Sequence, residues 1–471
     1  MKIGLEVHVQ LNTKTKLFCG CPNKFVNEPN TQTCEYCIGL PGSKPRLNEK
    51  AVEQAMKIAT ALNCKMPEET YFSRKTYFYP DMGKNFQITQ YEMPIASDGF
   101  MKIANNKIKI TRIQIEEDPA RIVHASKYND EEHVASITTA DYTLLDYNRS
   151  GVPLCEIVTE PVFASAREAR IFLQEMSTVL QYLDVYNPDV EGSMRVDANI
   201  SVGAARVEIK NISGYREVEK ALNYEIIRQK STLRRGGIVT RETRSWDAIT
   251  NVTRPLRTKE EAEDYGYIFE ADLPRITITK QKIADVKKSI PEMAEEKLER
   301  YVKKLKIGLD LAMAIVAEPD LAGMFETVVK QADTQIAAKW FAGEIKKTLN
   351  YSNLHIKDSK LKAEHIIKLL KLVEKKTVTE STAELILREM IVRPEDPELL
   401  LNQENATRIY NEDILQPIVE QTLGENAQAI LDYKAGKKEA INFLVGQTMK
   451  KTHGRGDSET IRRIILKLLN G

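Results

Sequence analysis

Hydrophobic and polar residues alternate strictly through the opening "KIGLEVHVQL", with Ile3, Leu5, Val7 and Val9 on one side and Glu6, His8 and Gln10 on the other. A period of two predicts a strand with one apolar and one polar face. The same period recurs in "KIKITRIQI", "RVDANISV" and "RVEIKNI", the last two separated by a short Gly-containing turn. Arg195, Asp197 and Asn199 share one face of the first of that pair, and Arg206, Glu208 and Lys210 share one face of the second. Helical patterns interrupt these strands: "EKAVEQAMKIATALN" after Pro45, a segment opening at Ser165 and one ending on Gly236. Ser165 is placed as an N-cap with Glu168 three residues on.

Beyond "LPRITITKQKIADVKKSI" the chain turns to helix formers without strand alternation, past residue 450. The predicted fold is therefore α+β: a mixed α/β domain over residues 1–290, then an all-α segment over 291–398 and a small all-α module over 399–471. The second boundary rests on "MIVRPEDPELL", whose two prolines are flanked by charge. There is no internal repeat, which argues against solenoids and propellers.

Composition narrows the function classes. A length of 471 residues with 42% hydrophobic side chains is enough for about two to four domains with their own cores. The 68 basic and 67 acidic residues leave a net charge of +1, which excludes a uniformly basic nucleic-acid coat, so partners must be read from local patches. No apolar run approaches the roughly 18 to 20 residues of a membrane span, and the chemistry-bearing strand starts too early for a leader peptide, so a cytoplasmic protein with no membrane partner is expected.

The polar faces carry the candidate chemistry. Glu6 and His8 are joined by "ITRIQIEEDPARIVH", with Glu116, Glu117 and Asp118, and by "LLDYNRSGVPLCEIVTEP", with Asp146, Asn148, Arg149 and Glu156. If these faces line one cradle, Glu6, Glu116, Glu156, Asp197 and Glu208 cannot all stay close and ionised without cations. Hard oxygen ligands with one His and interspersed Arg and Lys suit Mg²⁺ or Mn²⁺ holding a nucleotide triphosphate. Strand parity favours Glu116 over Glu117 as the inward member, since Gln114 and Glu116 share a face. No P-loop or dinucleotide fingerprint occurs, so phosphate binding must rely on metal and discrete cations. Among Arg74, Lys75 and Lys84 in "YFSRKTYFYPDMGKNFQITQY", Lys75 is the most attractive phosphate or acyl-group contact; the alternative is a strand and turn of packed aromatics.

Cys19 and Cys21 form C-x-C and Cys34 and Cys37 form C-x-x-C, a spacing that can close around tetrahedral structural Zn²⁺ in a small ribbon. Cys64 and Cys155 read as packing residues. Near the end, Lys450, Lys451, His453, Arg455, Arg462 and Arg463 surround a Gly-containing bend, either as a solvated face or as a contact to an RNA backbone.

Taken together, "GLEVHVQLNTKTKLFCGC", "CEYCIGLPGSKPRLN", "RKTYFYPDMGKNFQITQ", "IEEDPARIVH", "LLDYNRSGVPLCEIVTEP", "EGSMRVDANISV", "RVEIKNI" and "FLVGQTMKKTHGRG" resemble the GatB/GatE family, the B subunits of heterotrimeric tRNA-dependent amidotransferases. The absence of an inserted synthetase-like domain before the helices resembles the GatB branch. The resemblance implies a cradle-shaped catalytic domain, a helical domain and a YqeY-like tail, the last two holding tRNA. It implies ATP-dependent phosphorylation of the side-chain carboxylate of Glu-tRNA(Gln), Asp-tRNA(Asn) or both, then amidation by ammonia. A GatA glutaminase subunit would supply the ammonia from glutamine, and a small GatC subunit would clasp the pair. Glu6, His8, Glu116 or Glu117, Glu156, Asp197 and Glu208 would be metal and nucleotide residues, Lys75 would lie where acyl phosphate meets ammonia, and Arg206 and Lys210 would flank phosphates. Where the family usually has "DYRYFPEPDLP" this chain has "DYGYIFEADLP", so Gly266, Phe269 and Ala271 mark a departure at the cradle edge. The competing classes are a tRNA-binding scaffold without chemistry and a stand-alone ligase acting on a small acid.

Overall fold

Burial follows the sequence alternation along the first strand, Lys2–Gln10. Ile3, Leu5, Val7 and Val9 are at most 1% exposed, while Glu6, His8 and Gln10 are half-buried. Each fully buried aliphatic side chain stabilises the fold by about 1.5–3 kcal/mol, so this apolar row alone fixes which face turns inward. The computed structural model describes residues 1–471 except 104–105, 129–130, 135–140, 191, 259–265, 404–411, 435–439, 453–455 and 471.

Lys2–Gln10 lies inside an eight-stranded sheet whose spatial order is Val252–Thr258, Glu242–Asp247, Val207–Ser213, Met194–Ser201, Lys2–Gln10, Pro153–Thr159, Asn106–Glu117 and Ala96–Ile103. All neighbours pair antiparallel except Val207–Ser213 with Glu242–Asp247, which are parallel. That parallel pair requires a crossover, and the helix Tyr215–Arg234 supplies it. Helices Glu49–Ala61, Ala166–Tyr182 and Tyr215–Arg234 pack against the sheet strands and share one apolar core with the odd-numbered residues of the first strand. The second of these helices is capped as its sequence predicts: Ser165 Oγ accepts from Glu168 N at 3.1 Å, and the Glu168 carboxylate accepts from Ala164 N at 2.7 Å. The third ends at Arg234, followed by Gly236 in the left-handed region at φ 77°.

A three-stranded sheet of Tyr267–Phe269, Ser73–Thr76 and Phe86–Thr89 packs against Asn106–Glu117. These elements belong to a compact unit spanning Met1–Met293. In the second unit, Ala294–Gly471, the regular elements among the described residues are all helices. It holds one apolar cluster from Tyr301 to Leu401 and another from Leu415 to Ile465. Pro397 opens the helix Pro397–Gln403, and its Leu400 and Leu401 still pack in the first of these clusters. The mixed α/β part followed by helices is the predicted fold class. No helix among the described residues is long and apolar enough to cross a membrane.

Candidate active site

The antiparallel register decides which polar residues meet. Glu6 stands opposite Asp197, and His8 opposite Glu156. Glu156 in turn opposes Gln114, and Asn199 opposes Glu208. Directly opposed residues share a face, as do residues two apart on one strand, so Glu208, Asp197, Glu6, His8, Glu156 and Glu116 line one face of the large sheet.

On that face the ligand atoms fall into two groups of three. His8, Glu116 and Glu156 bring one ligand atom each within 4.8 Å of one another, and Glu6, Asp197 and Glu208 do the same. Glu6 and His8 are neighbours on the face, about 6.6–6.8 Å apart along the backbone of the strand, and each gathers carboxylates from the strand on its own side. Both sets offer the oxygen and imidazole donors that suit a hard divalent cation.

The electrostatics of the two groups differ. Burial pushes the Glu156 carboxyl up to about 7; the Glu116 carboxylate adds to this, and His8 opposes it. His8 Nε2 lies 3.6 Å from Glu116 Oε1. Gln114 donates to Glu156 and, at 3.2 Å, to Thr89 Oγ1, while Thr89 donates to Glu116 at 3.4 Å. In the second group Lys210 Nζ is 3.1 Å from Asp197 and 3.9 Å from Glu208. Burial works against the Lys210 charge, but Asp197, Glu208 and Glu6 outweigh it and hold its pKa above the ordinary lysine range. Asn199 donates to Glu6 at 2.8 Å and Thr243 to Glu208 at 2.9 Å, which fixes both carboxylates.

Glu117 is turned elsewhere. It is fully buried, accepts from Lys84 Nζ at 2.6 Å, from Tyr36 at 3.1 Å and from Ile88 N at 2.9 Å, and so takes no part in the carboxylate groups. Glu116 is the member of the pair on the polar face, because successive side chains of a strand point to opposite sides. Asp118 pairs with Arg195 at 2.7 Å and Arg149 at 3.6 Å. Lys75 sits in the small sheet opposite Gln87 and Tyr267, half-buried, and Arg206 is exposed in the turn before Val207–Ser213. Four residues after Gly266, Glu270 is fully buried and receives both Arg74 Nε at 2.6 Å and Arg74 Nη2 at 2.8 Å. Thr89 and Thr243 escape sequence reading, since an isolated Thr in a strand carries no signal of what it will face.

The four cysteine sulfurs of residues 19, 21, 34 and 37 also lie within 4.8 Å of one another. Cys37 Sγ is 3.6 Å from Cys19, 3.7 Å from Cys34 and 3.8 Å from Cys21. Tetrahedral zinc with Zn–S bonds of about 2.3 Å requires sulfur separations of about 3.8 Å, so this cage fits. The Cys19 hydrogen bond holds Cys37 down to about 4 against the effect of burial, with the Lys16 charge adding to it; burial and the Cys37 charge push Cys21 up to about 12. Cys155 is fully buried in the core and Cys64 packs against its edge.

Of the tail cations, Lys451 pairs with Glu425 at 2.7 Å, Arg463 with Glu412 at 2.7 Å, and Arg462 donates to Asn442 at 2.6 Å. His453 and Arg455 lie outside the described residues.

Comparison with known proteins agrees with the fold along the whole chain. A family model described as the GatB/GatE catalytic domain matches residues 1–284, and one described as a GatB domain matches residues 323–469. The B subunit of the aspartyl/glutamyl-tRNA(Asn/Gln) amidotransferase of Saccharolobus solfataricus is 43% identical over 477 residues, covering 100% of this chain and 99% of that protein. The protein of the same name from Methanosarcina barkeri is 43% identical over 498 residues, covering 100% and 98%, and that of Thermotoga maritima 40% over 483 residues, covering 100% and 98%. With a carboxylate-lined sheet in its first unit, helices in its second and relatives matched from end to end, the chain belongs to the GatB/GatE family.

Proposed function

We propose that this chain is the B subunit of a cytoplasmic tRNA-dependent amidotransferase, a carbon–nitrogen ligase that uses glutamine nitrogen. It works with a GatA glutaminase and a GatC subunit on Glu-tRNA(Gln), Asp-tRNA(Asn) or both. The observation that carries the reading is the pair of carboxylate groups side by side on one face of the sheet, His8–Glu116–Glu156 and Glu6–Asp197–Glu208. A purely tRNA-holding scaffold has no use for so many buried acids, each of which costs desolvation energy.

The chemistry asks for such a face. A carboxylate resists attack by ammonia because its leaving group would be oxide. Transfer of the terminal phosphoryl group of ATP to a carboxylate oxygen of the tRNA-borne side chain makes an acyl phosphate. Ammonia then adds to the acyl carbon, and the C–O bond to phosphate breaks as inorganic phosphate departs and nitrogen loses a proton, leaving the amide. The two groups on the sheet would hold Mg²⁺, whose charge when bound offsets that of the phosphate oxygens. Lys210, anchored between Asp197 and Glu208, would reach phosphate from the same face, with Arg206 beside it, and Lys75 would receive the acyl phosphate from the small sheet. The cysteine cage would hold structural Zn²⁺. The helical parts, with the division at residues 290 and 398, would carry the tRNA, the terminal module being the YqeY-like tail.

The test is ATP hydrolysis by the assembled subunits. With misacylated tRNA and Mg²⁺ present, phosphate release is expected in the unaltered assembly and is expected to drop by at least about a hundredfold after Glu6→Ala or Glu156→Ala, since a ligand to a catalytic cation would be gone. Normal turnover in both variants, or tight tRNA binding with no ATP use, defeats the proposal.

A further inference from the structure

Lys16 lies in the ribbon between the first strand and Cys19, and its side chain is fully buried. Its ammonium donates to the carbonyl of Gln32 at 2.9 Å, the carbonyl of Tyr147 at 3.2 Å and Cys37 Sγ at 3.3 Å. An ammonium has three donors, and these three acceptors use them all. None of the three is a carboxylate. A buried ammonium needs a counter-charge, and of its three acceptors only the sulfur can carry one. Four thiolates around a divalent ion form a doubly negative centre, which in a buried place needs a cation in turn.

We propose that Lys16 is the built-in counter-charge of the cysteine metal centre, holding the metal-bound Cys37 sulfur and joining the ribbon to the segment that leads into the Glu156 strand. The proposal rests on the zinc reading above and deepens it. Two further hydrogen bonds tie the junction: Leu17 N donates to Gly151 O at 2.8 Å, and Ser150 Oγ donates to Cys37 O at 2.8 Å. Withdrawing electron density from a metal-bound sulfur makes it a poorer nucleophile. Lys16 thus protects the centre from alkylation and slows loss of its metal. It is a positioning residue, remote from the reacting atoms.

The experiment compares the full-length chain with its Lys16→Met variant, which keeps the apolar stem and removes the charge and all three donors. Elemental analysis of the unaltered chain comes first: about one zinc per chain is the expected content, and an absence of zinc after purification with zinc supplied removes the underlying reading and this proposal together. Zinc release is then timed in excess chelator and in iodoacetamide. Roughly 10- to 100-fold faster release from Lys16→Met is expected, the usual effect of removing a partner of a metal ligand. Equal release rates, with zinc bound in both proteins, overturn the Lys16 proposal and leave the zinc reading standing. Should Lys16→Met fail to fold, the unaltered chain decides: amine acylation followed by mass spectrometry should leave Lys16 unmodified with zinc bound and modify it after chelation. Equal modification in the two states overturns the proposal.

Discussion

Replacing Glu156 by Gln should make the metal-free protein more stable while abolishing its activity. Glu156 is 6% exposed, and burial together with the neighbouring Glu116 raises its carboxyl from the ordinary 4.5 to about 7. The folded-state value lies above the unfolded one, so the folded chain keeps a proton that the unfolded chain has released. Its stability is therefore fully present below about pH 4.5 and falls as the pH rises towards about 7. At about 1.36 kcal/mol per pH unit, that window costs the wild-type chain about 3 kcal/mol. Glutamine is nearly the same shape, carries no charge, and its amide oxygen still accepts from Gln114, so the variant escapes the loss. Denaturant unfolding of both proteins in chelator, at about pH 5 and about pH 7.5, reads most of the difference: wild type should lose stability between the two and Glu156→Gln should lose about 2 kcal/mol less, since pH 5 already lies inside the window. Mg²⁺ should restore the wild type at the higher pH and leave the variant unchanged, because the cation takes over the neutralising role of the proton. A variant less stable than wild type at about pH 7.5 without divalent ions would refute the account, since it would make Glu156 an ordinary structural acid.

Glu117→Gln should act in the opposite sense, destabilising the first unit by about 3–5 kcal/mol, because it leaves the nearly buried Lys84 ammonium uncompensated. Adding Lys84→Met should recover much of that loss in thermal denaturation; strictly additive losses would mean the two side chains do not act as a pair. Removing the residues after Gln403 spares the apolar cluster from Tyr301 to Leu401, and in the assembled enzyme it should weaken tRNA binding by about tenfold or more in a filter-binding titration at fixed salt. Unchanged affinity would assign tRNA binding elsewhere.

Much of this protein is readable from its linear order. Period-two alternation makes Lys2–Gln10 a strand and puts Glu6 and His8 on its polar side, since burying Ile3, Leu5, Val7 and Val9 leaves no other arrangement. Ser165 and Glu168 announce a helix start, and four cysteines at ribbon spacing announce a cage, because both are local devices whose parts lie within a short reach of chain. What the sequence leaves open is pairing between distant segments. That Glu6 meets Asp197 while His8 meets Glu156 follows from strand register, which long-range hydrogen bonding sets. Only the fold could show that Thr89 and Thr243 would brace Glu116 and Glu208, that Glu117, which strand parity already sets on the other side, would meet Lys84 and Tyr36 there, and that Lys16 would run inward to a cysteine sulfur. Periodicity says which side of an element a residue occupies; what waits for it there depends on segments up to hundreds of residues away, brought close by the packing of a common core.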